Sequence, residues 1–332
     1  MSLPIEYPYP PMEAQSASAL PAGSEWQYEP KWDGFRCLAF RDGDEVRIQS
    51  KAGKPLARYF PDVVEAVAAI PARRFVLDGE IVIPVDGRLS FDELLLRVHP
   101  AESRVRKLVA EHPARLVVFD LLVDERGRSL VRLPLKERRA RLEAFAGKLF
   151  GPEGPVVLAK ATRRLPTAQS WLAGRNGDLD GVVAKRVDQP YRSGLRDAMV
   201  KVKRQRTADC VVGGFRYASK GGGIGSLLLG LYDKDGLLHH VGFCSSLSAK
   251  VRQELTATLE RIRESPGFTG RAPGGPSRWS TERSGEWEPV KPSLVVEVGY
   301  DHVSGGRFRH GTRFLRWRPD KAPRQCTMEQ IA

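Results

Sequence analysis

The sequence predicts two domains, an α+β domain with largely antiparallel sheets followed by a small β-barrel, and three observations carry that reading. Short β-type runs dominate the first 204 residues and often follow one another without a helical crossover, which suits antiparallel pairing. The lysine-rich stretch Met199-Val200-Lys201-Val202-Lys203-Arg204 runs into the apolar Cys210-Val211-Val212-Gly213-Gly214-Phe215, which puts a boundary near residue 204. The 128 residues beyond it hold several short strands and one helix, the make-up of a small barrel, for which an OB-fold is the natural candidate. The domains are therefore 1–204 and 205–332.

Taken in order, residues 1–24 read as an extended arm. Residues 46–50 alternate as a strand does, and 61–70 carry Val63, Val64, Val67 and Ile70 at helical spacing. A strand-like segment at 74–84 surrounds Asp78-Gly79-Glu80, where the glycine would permit a tight bend, and 115–123 is a continuous apolar run of buried-strand type. Pro134 can open a helix at its first position, with Leu135, Leu142 and Phe145 facing in. Strands follow at 181–187 and 199–203. Beyond the boundary, strands at 225–232, 238–245 and 294–303 flank a helix whose stripe is Val251, Leu255, Leu259 and Ile262, and the chain ends in a basic segment.

The chain carries a net charge of +13 with a pI near 9.8, and both halves share it: 34 Lys+Arg against 27 Asp+Glu in 1–204, and 19 against 13 in 205–332. A surplus on both sides suits a polyanion gripped by two domains. No apolar run approaches membrane-spanning length and no signal peptide opens the chain, so nucleic acid is the better polyanion. Cys37, Cys210, Cys244 and Cys326 are widely spaced, without a CxxC or a Cys/His cluster at zinc spacing. They read as reduced thiols of a cytoplasmic protein. The six histidines, including His239-His240, show no metal spacing.

Lys31 stands within Glu29-Pro30-Lys31-Trp32-Asp33-Gly34-Phe35-Arg36, with an acid two residues away on each side. A deprotonated lysine can carry a covalent intermediate, an acid can orient it or hold a metal, and an arginine can hold a phosphate. A surface lysine would fit the same eight residues, so the later segments matter. They are Asp78-Gly79-Glu80, Phe119-Asp120, Asp180-Gly181-Val182-Val183-Ala184-Lys185, Lys201-Val202-Lys203, and Arg313-Phe314-Leu315-Arg316-Trp317-Arg318-Pro319-Asp320-Lys321.

This ordered set resembles the covalent nucleotidyltransferase superfamily of ATP-dependent DNA ligases, RNA ligases and capping enzymes, from about Glu25 to Lys321. The compact layout, Gly225-Ser226-Leu227-Leu228-Leu229-Gly230 and the final basic segment look most like the short bacterial ligases of the ligase C type. The resemblance implies an ATP-grasp-like nucleotidyltransferase domain and then an OB-fold. It implies a monomeric enzyme of DNA repair that uses ATP with Mg²⁺ or Mn²⁺ to seal 5′-phosphate/3′-OH nicks in duplex DNA through a lysyl-AMP and a DNA-adenylate.

Roles follow from the resemblance residue by residue. Lys31 is the nucleophile, whose amine must lose its proton to attack. Glu29 lies beside the adenine and confers base choice, Arg36 lies near the ribose, and Phe119 stacks on the base. Glu80 contacts the ribose or a metal, with Asp33 and Asp180 as further metal candidates. Asp180 stands where the family more often has Glu, one methylene longer, which puts direct ligation in question. Lys185, Lys201 and Lys203 face the phosphates, and Met199 stands where an aromatic is common. Lys51, in place of an arginine, grips the 5′-phosphate of the nick as a point charge. Arg318, Asp320 and Lys321 orient pyrophosphate. Arg216, Lys220 and Gly221-Gly222-Gly223 form a basic loop suited to DNA backbone contact. With no further DNA-binding domain ahead of residue 25, two domains clamp the nick, and affinity falls steeply with salt. The alternatives are an RNA ligase or a ligase of ribonucleotide-containing nicks, a capping enzyme, and a non-catalytic OB-fold nucleic-acid binder.

Overall fold

The computed structural model describes residues 3–151, 154–174, 179–204, 206–218, 223–274 and 286–331. The chain divides into two compact units, Met1–Arg204 and Gln205–Ala332. Both mix helices with sheets that are mostly antiparallel. No helix among the described residues is long and apolar enough to cross a membrane.

The first unit contains two main sheets. One runs Gln15–Ser16, Met199–Lys203, Leu179–Arg186, Trp26–Trp32 in spatial order, with only the first pairing parallel. The other runs Glu45–Ser50, Phe35–Asp42, Arg74–Val82, Arg115–Val123, Val156–Leu158, with only the last pairing parallel. Trp26–Trp32 is an edge strand, so Pro30 can sit in it without leaving a neighbour's carbonyl unpaired. The Asp33-Gly34 turn carries the chain from this sheet to the other. Gly34 is required there because a Cβ would lie 2.3 Å from the Ile81 carbonyl oxygen. Val63 and Val67 of helix Pro61–Ala68 and Leu142 and Phe145 of helix Leu135–Leu149 pack with Phe75, Leu77 and Val118 of the second sheet in one core.

The strands expected at 115–123 and 199–203 have those bounds. The one expected at 74–84 stops at Val82, and Gly79 does not bend it. The glycine instead lets two strands approach, since a Cβ there would lie 2.7 Å from the Val117 carbonyl oxygen. The segment holding Lys31 is itself a strand, disguised by Pro30 and its charged residues. Helices Phe91–Arg97, Glu102–Glu111 and Leu165–Ala173 were not expected; Glu102–Glu111 buries only Val105, too little for a readable apolar stripe.

In the second unit, strands run Leu238–Cys244, Ile224–Tyr232, Arg206–Tyr217, Val295–Tyr300, Arg313–Trp317, with Glu288–Pro289 also on the central strand. The outer ends meet at one parallel bridge, Cys244 with Thr312, where the Thr312 N–H donates to the Phe243 carbonyl at 3.0 Å. Among the described residues the sheet thus curls toward a barrel, but no ladder closes it. The expected strand at 294–303 is interrupted after Tyr300 and resumes at Val303–Ser304. Helix Ala249–Arg261 begins at Ser248, whose hydroxyl accepts from the Val251 N–H at 3.3 Å, and buries Leu255 and Leu259.

Replacing Gly34 by Ala should destabilise the first unit by about 1–3 kcal/mol, because the clash is with backbone that cannot rotate away. Denaturant midpoints of the two proteins check this, and equal midpoints would contradict the close approach.

Candidate active site

Residues directly opposite on paired strands share a face, and this rule builds one wall of a cleft. Glu29 pairs with Val183 and Val183 with Lys201; Lys31 pairs with Gly181 and Gly181 with Lys203. Gln27, Glu29 and Lys31, two residues apart, follow one another on that face. Asp180 would point the other way in a regular strand. The pairing to Trp26–Trp32 shifts register between Leu179 and Gly181, so Asp180 sits in a bulge, which re-aims its carboxylate. Its Oδ2 lies 2.5 Å from Lys31 Nζ, with Lys203 Nζ at 4.0 Å. The shorter side chain therefore reaches the lysine.

The facing wall comes from the second sheet and uses a bulge in the same way. Asp78 pairs with Asp120 and Gly79 with Val118, which leaves Phe119 as the extra residue. Phe119 lines the cleft with Arg36 and Glu80. Arg36 and Lys185 both approach its ring, at 4.6 and 4.4 Å from the centroid. The cleft, a cavity of about 190 Å³, is also lined by Lys31, Lys51, Lys201, Met199 and arm residues Pro11 to Ala14. The indole N–H of Trp32, another lining residue, is buried without a hydrogen-bond partner among the described residues.

The structure ties several candidates to partners the sequence did not indicate. Glu29 and Lys185, both buried, pair at 2.6 Å, and Gln27 Nε2 donates to Glu29 at 2.9 Å. Lys185 therefore lies at the ring of Phe119. Arg36 donates two hydrogen bonds to the fully buried Asp78, at 2.5 and 2.6 Å, and the Tyr191 hydroxyl donates a third at 2.6 Å. Burial first and Asp78 next push the Tyr191 hydroxyl well above the usual tyrosine range, which keeps it a donor. Next to Phe119, Asp120 accepts two bonds from buried Arg138, each 2.9 Å. Lys51 is paired with Glu13 at 2.8 Å. Gln27 could have been found from its two-residue spacing to Glu29; Tyr191 and Arg138 carry no local signal.

Burial pushes the Glu80 carboxyl up to about 7, against the opposing pull of Arg36 and Lys31. Lys201 is held below the usual lysine range, by burial first and then by the charges of Lys31, Lys51 and Lys203. Among the described residues no three His, Cys, Asp or Glu side chains gather as a ready-made ion site, so Asp33, Glu80 and Asp180 do not form a closed ligand set. Their oxygen donors suit a hard divalent cation that takes its remaining ligands from phosphate and water.

In the second unit, Asp209 gathers the basic end. Arg318 donates to both its oxygens at 2.9 and 3.1 Å, and Lys321 Nζ donates at 2.7 Å. Arg318 also pairs with Asp320, whose carboxyl is pushed down to about 2 chiefly by that hydrogen bond. Arg216 is partly buried on strand Arg206–Tyr217, and burial lowers its pKa. Lys220, like Gly221 and Gly222, lies outside the described residues.

A strand-borne lysine held by a carboxylate, with an aromatic ring opposite and further lysines alongside, defines an enzyme of the nucleotidyl-transferring class. A family model described as ATP dependent DNA ligase domain matches residues 11–203, and one described as ATP dependent DNA ligase C terminal region matches residues 220–321. DNA ligase C1 of Mycolicibacterium smegmatis is 44% identical over all of this chain and 96% of its own length. DNA ligase C of Mycobacterium tuberculosis is 42% identical, again over all of this chain and 96% of its own. The crystal structure of the ligase domain from M. tuberculosis LigD is 29% identical with a TM-score of 0.50, covering 96% of this chain and 98% of that one. The chain belongs to the ATP-dependent DNA ligase family.

The Glu80 environment sets a pH dependence. Between its ordinary value of 4.5 and about 7, folded Glu80 retains a proton that the unfolded chain has released. Its contribution to stability is therefore present below 4.5 and is lost as pH rises through 7. Urea midpoints across this range, without nucleotide, should decline less for Glu80→Gln than for the unaltered protein. Parallel curves would remove Glu80 as the source.

Proposed function

We propose that this enzyme seals 5′-phosphate/3′-OH nicks in duplex DNA with ATP, through a lysyl-AMP formed on Lys31. The observation that carries the reading is the position of Lys31 Nζ, 2.5 Å from Asp180 and on the same cleft as Phe119 and Lys201. The names of the relatives support DNA as the polymer.

The adenine is assigned to the Phe119 end, where the Gln27–Glu29–Lys185 chain offers polar groups to the base edge. Arg36, braced by Asp78 and Tyr191, is directed toward the sugar. In the first step the Lys31 amine attacks the α-phosphorus; the N–P bond forms and pyrophosphate leaves. Asp180 is the carboxylate in contact with the amine and so the nearest acceptor for its proton. Lys201 and Lys203 offset phosphate charge, and burial strengthens that effect at Lys201. Arg318 and Lys321 are assigned to the departing pyrophosphate, and Arg216 to the DNA backbone. A divalent cation, Mg²⁺ or Mn²⁺, held by Glu80 and Asp180 with Asp33 nearby, would neutralise further phosphate charge. AMP then passes to the 5′-phosphate, and the 3′-OH displaces it to close the strand.

Incubation with α-labelled ATP and a divalent cation, followed by a denaturing gel, should give a labelled protein that seals nicked DNA. Lys31→Ala should abolish the label, and a label that persists would overturn the reading. Lys201→Ala should slow labelling by about 100-fold; an unchanged rate would remove its phosphate role.

A further inference from the structure

Glu13 performs no task in the chemistry just described, yet it sits in the cleft with two cations on one of its oxygens. Lys51 Nζ lies 2.8 Å and an Arg196 guanidinium nitrogen 2.7 Å from the same atom, Glu13 Oε2. Nothing in the sequence links Arg196 to Lys51; the fold brings them together. An oxygen held by a lysine and an arginine is the environment of a phosphate oxygen. We propose that Glu13 is an anion gate, its carboxylate occupying the seat between Lys51 and Arg196 that the terminal phosphate of a DNA 5′ end takes when a nick binds.

The arm that carries Glu13 is built against the segment that carries Arg196. The Glu13 N–H donates to the Leu195 carbonyl at 2.9 Å, the Gly194 N–H to the Pro11 carbonyl at 3.3 Å, and the Ser193 hydroxyl to the Pro10 carbonyl at 2.6 Å. Gln15–Ser16 continues as a parallel strand along Met199–Lys203. Backbone pairing thus holds Glu13 at the seat, and rotation of its side chain is enough to vacate it. The hydrogen bond from Lys51, with the Arg196 charge, holds the Glu13 carboxyl below the usual range, so it is charged at neutral pH.

The gate is weakly closed. Lys51 and Arg196 side chains are 55% and 63% exposed, and ion pairs at that exposure contribute little. A phosphate monoester brings nearly twice the charge of a carboxylate and three acceptor oxygens. Arg196 supplies the guanidinium fork that Lys51 lacks. Glu13 and Lys51 line the same cleft as Lys31, so the seat opens on the cleft of the lysine that would deliver AMP. An ATP phosphate has the same terminal chemistry, and the arms of the test below separate the two sources.

The proposal rests on the ligase reading, and its test separates the two. Binding is measured by fluorescence anisotropy, without ATP, on nicked duplexes with a 3′-dideoxy end and either a 5′-phosphate or a 5′-hydroxyl. Glu13→Gln should tighten the phosphorylated nick roughly fivefold, the scale of one exposed ion pair, and change the hydroxyl nick less than about twofold. Arg196→Ala should weaken the preference for phosphate, and the Glu13→Gln/Arg196→Ala double variant should lose the gain. An equal gain on both nicks would make Glu13 a general charge. A loss of affinity would make it an arm anchor. A gain that survives the double variant, or one seen only for ATP titrated in the same way, would remove the seat from the DNA end. Each of these overturns the gate and leaves the ligase reading standing, whereas failure of the unaltered protein to take label from ATP would sink that reading instead.

Discussion

The contact between Lys31 and Asp180 depends on an irregularity. Two neighbouring strands present their side chains by strict alternation, and strict alternation would put Asp180 on the far face. One unpaired residue in the register turns it back, and the 2.5 Å ion pair follows. Gly181, next in the chain, lies in the row with Lys31 and Lys203, where a Cβ would come 2.1 Å from the Val202 carbonyl oxygen. The close packing of those strands allows only a glycine, and it keeps the row tight enough for three charges to meet. The bulge at Phe119 serves the opposite wall in the same way.

Charge is balanced locally in the cleft. Lys31 pairs with Asp180, Lys185 with Glu29, and Lys51 with Glu13; in the second unit Asp209 holds both Arg318 and Lys321. Cations crowded together without partners repel one another, and removing them from water adds to the penalty. Carboxylates offset both effects while no phosphate is present.

The candidate site was legible in the sequence where chemistry needs particular residue types close together. Lys31 with Asp33 and Gly34, Asp78-Gly79-Glu80, and Lys201-Val202-Lys203 each combine a charged group with a strand or turn signal. The residues that brace these groups were not legible. Tyr191 reaches Asp78 across 113 positions, and Arg196 meets Glu13 from far along the chain. Neither stands in a local pattern, because long-range packing brings each to its partner. Asp120 looked like part of the site through its neighbour Phe119, but its two bonds to buried Arg138 make it a support for the strand. Short helices with little buried surface escaped for a different reason, since Glu102–Glu111 offers one buried side chain to a periodicity argument.

The amino-acid sequence by itself determined the boundary near residue 204 and the strands whose apolar runs are long or uninterrupted, properties that reside in composition, period and short-range spacing. Its ordered motifs, through the family they resemble, singled out Lys31 as the candidate nucleophile. Only the tertiary structure decided where the charged groups point and what they touch. Strand register sets the face a side chain occupies, and one bulged residue reverses it. That reversal gives Lys31 a partner in Asp180 and puts Phe119 in the cleft.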